Sequence, residues 1–228
     1  CYSHAKGGLD LASPGIVHEL ANPEQPETAP GFIVAAMAQR RARGLRPFTC
    51  LSCDNLPENG KVLRSVVLDL ARRVDPSLAS WIAAEARFPC TMVDRIVPAT
   101  TEADLDDVER LTGVRDAGVV MHEPFRQWVI EDDFVDDNRP RFETAGVQMV
   151  RDVAPFEHMK LRCLNGTHST LAYLGYLAGH ETISDAVADP VCAALCERLW
   201  AEEILPTVPQ PEGEDLPAYA AALLERYR

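Results

Sequence analysis

The sequence lacks the short signatures that announce phosphate cradles or serine nucleophiles. It holds no G-x-G-x-x-G, no G-x-x-x-x-G-K-[ST] and no G-x-S-x-G. Gly175-x-x-x-Gly179 sits in an apolar stretch and reads as a close helix contact. Positive charge is also scarce. Lys and Arg number 22 against 35 Asp and Glu, giving a net charge of −13 with histidine neutral. Such a chain repels nucleic-acid phosphates and offers no basic patch to an anionic membrane, so neither partner is expected. No apolar run approaches the ~18 residues of a membrane span, and the opening CYSHAKGGLD has no apolar signal core. The seven cysteines (Cys1, Cys50, Cys53, Cys90, Cys163, Cys192 and Cys196) are odd in number and irregularly spaced. That argues against a secreted disulfide framework and for reduced, mostly buried thiols of a cytoplasmic protein. The remaining composition, 46% hydrophobic and 25% charged, is that of a globular chain with one large domain or two small ones.

What is present follows α/β grammar and then changes. Residues 1–30 are rich in Pro and Gly and read as loop. GFIVAAMAQRRAR (31–43) reads as a helix stopped by Gly44, and Phe48–Cys53 as a buried strand. Helices are expected at 61–74, at 76–86 behind Asp75-Pro76, and at 101–112 behind Thr100 or Thr101. Strands are expected at 91–97, 118–123 and 127–132. From about Pro155 only helices follow: one long helix over 155–178, then 181–188, 191–204 and 216–228. The fold class is therefore α/β followed by all-α, with the domain change near residue 153. The chain does not begin with Met, and PAYAAALLERYR has no helix stop after it, so a piece of a longer protein is expected.

Three stretches carry candidate chemistry. In EHMKLRCLNGTHS, a regular helix at 100° per residue puts Lys160 at zero and Glu157, Asn165 and His168 at about 60°, 140° and 80°. All four share one arc, although Leu161 and Leu164 share it too, and an ordinary amphipathic helix also has a polar arc. The apolar LAYLGYLAG that follows implies burial. A buried lysine beside a carboxylate is either paired or shifted in pKa, and a lowered pKa makes it a usable base. In SCDNLPENG, Asp54 and Asn55 follow the expected strand, where α/β sites form but turns form as well. In MVDRIVP, Asp94 and Arg95 interrupt an apolar strand, which is costly unless they are paired or functional. Cys50 and Cys53, three apart on a strand, face opposite ways and make a poor metal site. Cys192 and Cys196 read as helix core, and His122, His158 and His180 are isolated.

Together, SCDNLPENG, FPCTMVDRIVPATT, EPFRQWVIEDDF and MKLRCLNGTHS resemble the mannitol dehydrogenase family of long-chain polyol dehydrogenases and reductases. The resemblance runs in order from GLDLASPGIVHEL to LLERYR. FPCTMVDRIVPATT and LNGTHSTLAYLGYLAGHETI lean towards its fructuronate reductase branch, and the mannitol branch shares the same motifs. The resemblance implies a Rossmann-type NAD-binding domain (here residues 1–153, without its phosphate loop), a helical catalytic domain starting at 154, and an active site between them. It implies metal-independent hydride transfer between NAD and a small sugar acid or polyol. By motif matching, Lys160 in K-x4-N-x2-H resembles the general base, and Asn165 and Asn55 the amides that hold the reacting oxygen. Asn55 is also the one cofactor-side residue expected in this stretch. His168 and Asp94 resemble substrate-binding residues, and Glu157 a proton relay. The family's glycine-rich loop would lie upstream of Cys1, and further substrate-binding basic residues beyond Arg228. A Schiff-base lysine enzyme and a non-catalytic remnant are the competing readings.

Overall fold

The computed structural model describes residues 8–228 in full and residues 2–3 by their backbone. Cys1, one of the expected reduced thiols, lies outside the described residues, as do positions 4–7 of the expected opening loop. The chain forms two compact units, Cys1–Met92 with Trp128–Val153, and Val93–Gln127 with Ala154–Arg228.

In the first unit, β1 (Tyr2–Ser3) pairs antiparallel with β2 (Gly8–Leu9). Four helices follow: α1 (Pro14–Ala21), α2 (Ala29–Ala42), α3 (Asn59–Val74) and α4 (Pro76–Glu85). β3 (Thr91–Asp94), β4 (Gln127–Glu131) and β5 (Gln148–Val150) form a sheet in that order, with β4 and β5 parallel and Ile130 opposite Met149. The main core lies where α2, α3 and α4 converge, through Val34, Met37, Val67, Leu70, Leu78 and Ile82. These positions recur at helical spacing on each element, as an amphipathic face requires.

Two expectations fail in this unit. Residues 14–21 are helical rather than loop. Pro14 occupies the first turn, and the helix carries Glu19, which is only 2% exposed. The Glu19 carboxylate accepts from Glu27 N at 2.8 Å, Thr28 N at 2.5 Å and Thr28 Oγ1 at 2.8 Å, at the threshold of α2. An anion at a helix N-terminus satisfies free N–H groups and the dipole. Gly31 leaves it room, since a Cβ there would collide with the carboxylate. The expected strand at Phe48–Cys53 does not form; the segment is irregular. Its ties are isolated: Cys50 N to Arg87 O at 3.0 Å, and Val135 N to the Thr49 hydroxyl at 2.9 Å. An apolar run becomes a strand only when a neighbour supplies a ladder.

The second unit is helical. It holds α5 (Glu102–Thr112), α6 (Ala154–Met159), α7 (Thr167–Ala178), α8 (Ile183–Ala188), α9 (Pro190–Arg198) and α10 (Leu216–Arg226). Thr101 opens α5 through a reciprocal capping box with Asp104, and Gly113 ends it at φ +75°. The expected single helix over 155–178 is instead α6 and α7 joined by a π-helical segment, Lys160–Gly166. A second π segment, Leu199–Ile204, continues α9. Residues 118–123 form no strand. A single-point backbone tie joins them to the 91–97 stretch, Glu123 N to Ile96 O, and Arg95 Nε donates to the carbonyls of Glu123 and Phe125 at 3.1 Å each. Pro124 then ends the run. β3 likewise stops at Asp94, short of the expected residue 97. No helix among the described residues is long and apolar enough to cross a membrane.

Candidate active site

In the second unit the sequence EHMKLRCLNGTHS occupies the end of α6, the π segment and the start of α7. Phe156, Met159 and Cys163 bury one side of this run. Thr167 is fully buried, and its hydroxyl accepts from Trp200 Nε1 at 2.7 Å. Glu157 is buried, Lys160 and Asn165 are half-buried, and His168 is exposed. The π segment revises the helical-wheel arithmetic. Lys160 and Asn165, five apart, diverge by about 140° on an α-helix. The i→i+5 bonding of a π-helix advances fewer degrees per residue, so it swings Asn165 back towards the face of Lys160.

Burial holds the Lys160 ammonium below the ordinary lysine range; Asp94 and Glu157 pull the other way, while Arg226 reinforces the lowering. Desolvation prevails because a half-buried ammonium loses hydration that flanking carboxylates only partly replace. A lysine in this state releases and regains its proton closer to neutrality than a surface lysine does.

Asp94, 1% exposed at the end of β3, spends both oxygens on other residues. Arg226 Nη2 donates to Asp94 Oδ1 at 2.6 Å and Nη1 to Oδ2 at 3.1 Å, while the Tyr219 hydroxyl donates to Oδ2 at 2.6 Å. Arg226 also grips Glu123, Nη2 to Oε1 at 2.7 Å and Nε to Oε2 at 2.9 Å, and its guanidinium lies 4.0 Å from the centre of the Phe125 ring. A buried carboxylate and a half-buried one thus share one arginine, the bidentate use for which Arg rather than Lys is suited. The cost of a charge within MVDRIVP is met by Arg226, 132 residues away, and not by the adjacent Arg95.

In the first unit, Asn55 stands on an exposed loop, with its backbone N–H bonded to Asp54 Oδ1 at 3.0 Å. That loop is held by a residue the sequence reading passed over, Asn59. Its Nδ2 reaches Ser52 O, Asp54 O and Thr91 O at 3.2, 2.9 and 3.0 Å, and its Oδ1 accepts from Thr91 N at 2.9 Å. Glu58 just before it takes φ +53°, a conformation uncommon outside glycine. Gly60 lets the start of α3 approach the carbonyls of Phe88 and Pro89, which a Cβ would strike. A cavity of about 540 Å³, walled by Pro30, Ile33, Leu51 and Leu63 with Asp54 and Asn59 as polar lining, opens beside the loop.

His180 is not isolated. Its Nε2 lies 3.1 Å from Asp189 Oδ2, while Asp189 Oδ1 caps α9 at Val191 N, 2.8 Å away. With Cys192 they form the one trio of potential metal donors within 4.8 Å of each other among the described residues. Cys50 is buried, with its thiol pushed up to about 12, whereas Cys53 is exposed.

Comparison with known proteins gives the family. The model described as the mannitol dehydrogenase Rossmann domain matches residues 4–144, and the mannitol dehydrogenase C-terminal domain matches 152–228. The chain belongs to the mannitol dehydrogenase family. It is 52% identical to the D-mannonate oxidoreductase of Escherichia coli (strain K12), over 100% of this chain and 46% of that protein. Its fold matches a substrate-free D-sorbitol dehydrogenase with a TM-score of 0.91 at 38% identity, covering 99% of this chain and 46% of that one. It matches the Pseudomonas fluorescens mannitol 2-dehydrogenase, solved as a ternary complex with NAD and D-mannitol, with a TM-score of 0.83 at 42% identity over 95% and 44% of the two chains. The chain spans about half the length of the curated relatives it matches.

Proposed function

We propose that this chain carries the lysine-centred part of an NAD-dependent oxidoreductase that interconverts D-fructuronate and D-mannonate. The observation that carries the reading is Lys160, half-buried with a weakened hold on its proton, in K-x4-N-x2-H on a helix whose π turn brings Asn165 towards it. The 52% identity to a D-mannonate oxidoreductase favours the sugar-acid substrate. A mannitol–fructose reading of the same site is favoured by the relative solved with D-mannitol.

The residues present fit one part of a dinucleotide. The cavity beside Ser52–Leu56 has an apolar wall for a ring, and the Asp54 carboxylate can accept from ribose hydroxyls. The pyrophosphate end calls for a glycine-rich turn, and none occurs in these 228 residues. When bound, NAD supplies or accepts the hydride. Lys160 does the proton work: neutral, it takes the hydroxyl proton as an alcohol is oxidised, and protonated, it returns one to the carbonyl oxygen on reduction. The Asn165 amide donates to that oxygen as charge develops, and the family pattern assigns Asn55 as the second donor. Glu157, buried three residues before the lysine, is assigned as its relay to solvent. His168 and Asp94 are assigned to substrate, Asp94 through the group it shares with Arg226. The domain change is assigned to residue 153. The six described cysteines are free thiols, in keeping with a cytoplasmic protein.

The test is a substrate panel on the intact protein: fructuronate, tagaturonate and fructose with NADH and NADPH, and the reduced partners with NAD and NADP. Turnover should be highest on the fructuronate–mannonate pair. Preference for fructose and mannitol would move the assignment to the second reading, and no turnover on any member would remove the catalytic one.

A further inference from the structure

The helix α10, LPAYAAALLER in the sequence, carries none of the site motifs, yet its end performs a specific task. Tyr227, directly after α10, is 6% exposed. Its hydroxyl donates to the backbone carbonyl of Leu164 at 2.6 Å, and its ring lies 6.3 Å from the ring of His168. Leu164 stands inside the π segment, one residue before Asn165. The same carbonyl also accepts the N–H of Thr167, the first residue of α7. The tyrosine therefore fills the second acceptor site of a carbonyl at the seam where π bonding gives way to α bonding.

Such a seam needs an outside hold. π turns are rare, and they persist where other groups compensate the irregular bonding, often at functional sites. Relaxing Lys160–Gly166 to an ordinary α-helix would turn Asn165 away from Lys160 and rotate His168 with it. Around the seam, Thr167 is anchored by Trp200, the Ser169 and Thr170 hydroxyls bond back to the carbonyls of Asn165 and Gly166 from within α7, and Tyr227 reaches the π segment's backbone from a different helix end. The preceding residue, Arg226, holds Asp94, so one helical end secures both the π turn and a carboxylate whose charge acts on Lys160.

We propose that Tyr227 is a positioning residue for the Lys160 site, its hydroxyl holding the Leu164 carbonyl and with it the π turn that keeps Asn165 and His168 on the lysine's face. The role rests on the reading of Lys160 as the acid–base group. Burial pushes the Tyr227 hydroxyl above the usual tyrosine range, so it stays a donor throughout the working pH range.

The experiment is Tyr227→Phe in the intact protein, which keeps the ring and removes the donor. Turnover should fall by about tenfold in both directions, as small misplacements of reacting groups do, with the KM for NADH unchanged. Amides of residues 160–168 should exchange faster with solvent, and the unfolding midpoint should stay close to wild type. 4-Aminophenylalanine at position 227, which restores a donor at the same place, should recover turnover. Wild-type kcat with unchanged exchange overturns the proposal, and so does a lowered midpoint with kcat intact. A parallel Lys160→Ala separates the two claims. If that variant keeps its turnover, the lysine reading fails, while the exchange data still decide whether Tyr227 holds the turn. The wild type alone gives a check that needs no variant: amides of residues 164–167 should be as protected as those of α7, and fast exchange there overturns the proposal.

Discussion

Replacing Arg226 with Met probes how the second unit tolerates charge in its interior. The arginine side chain is 7% exposed, and its partners Asp94 and Glu123 are 1% and 12% exposed. It makes four charge-assisted hydrogen bonds between 2.6 and 3.1 Å and stacks on Phe125. Methionine fills similar volume, so little of the effect comes from a cavity. What is lost is the compensation of a buried carboxylate and of a second that is half-buried. Breaking such a pair from one side costs about 3–5 kcal/mol, a large share of the ~5–15 kcal/mol that holds a typical domain together. The pH dependence carries a sign. Without Arg226 the loss comes from negative charge held away from water without its partner, so the deficit is full near neutrality and shrinks in acid, where that charge is neutralised. Urea denaturation of the intact protein at pH 7 and pH 5, with hydrogen exchange on β3 and α10 to localise the change, is the assay. Adding Asp94→Asn to the Met variant should recover part of the loss. A deficit under about 1 kcal/mol, the range of a solvated surface pair, or one that grows as the pH falls, would refute the reasoning.

Other outcomes follow from the same structure. Asn59→Ala should lower stability by about 1–3 kcal/mol, because Thr91 N and two loop carbonyls lose their partner in a buried place; it should also raise KM or lower kcat through the Asn55 loop, and a variant matching wild type in both would deny Asn59 its role. Asn55→Ala and Asn165→Ala should each slow the chemical step by about 10²–10³-fold if they donate to developing charge, read by single-turnover kinetics. Asp189→Ala should lower the unfolding midpoint as α9 loses its cap, read by thermal denaturation across pH. The bond from Val191 N and the one to His180 hold the Asp189 carboxyl below its usual range. Its contribution is therefore present above the ordinary Asp value and lost as pH falls, and the variant's acid limb should be shallower.

The fold class and the grouping of the candidate residues were legible in the sequence, while several individual elements were not. Lys160, Asn165, His168 and Glu157 stand within twelve residues, so their grouping needed only a helix and a motif. The π turn was not legible, since nothing in KLRCLNG breaks an α-helical pattern; the hold on it comes from Tyr227, 63 residues later. The same distance problem hid Arg226 from Asp94 and Thr91 from Asn59. Asp94 stands out because an acid in an apolar strand violates a local rule, but its partner lies in a helix that carries no site motif of its own. The misread segments share one cause. Phe48–Cys53 and Gly118–Glu123 carry strand-like composition, and composition does not supply a pairing neighbour. Residues 14–21 show the reverse: a Pro-rich surrounding concealed a helix whose purpose, presenting Glu19 to α2, appears only in three dimensions.

The central claim is that Lys160 gives and takes the proton, and the pH dependence of kcat in both directions tests it most directly. With its pKa lowered by burial, oxidation should rise with pH along a limb below the ordinary lysine range, as the neutral amine forms. Reduction should fall along the same limb, as the ammonium is lost. Lys160→Ala should reduce kcat by about 10²–10⁴-fold and abolish that limb in both directions. A variant that retains wild-type turnover, or one that keeps the limb at its original position, would contradict the account.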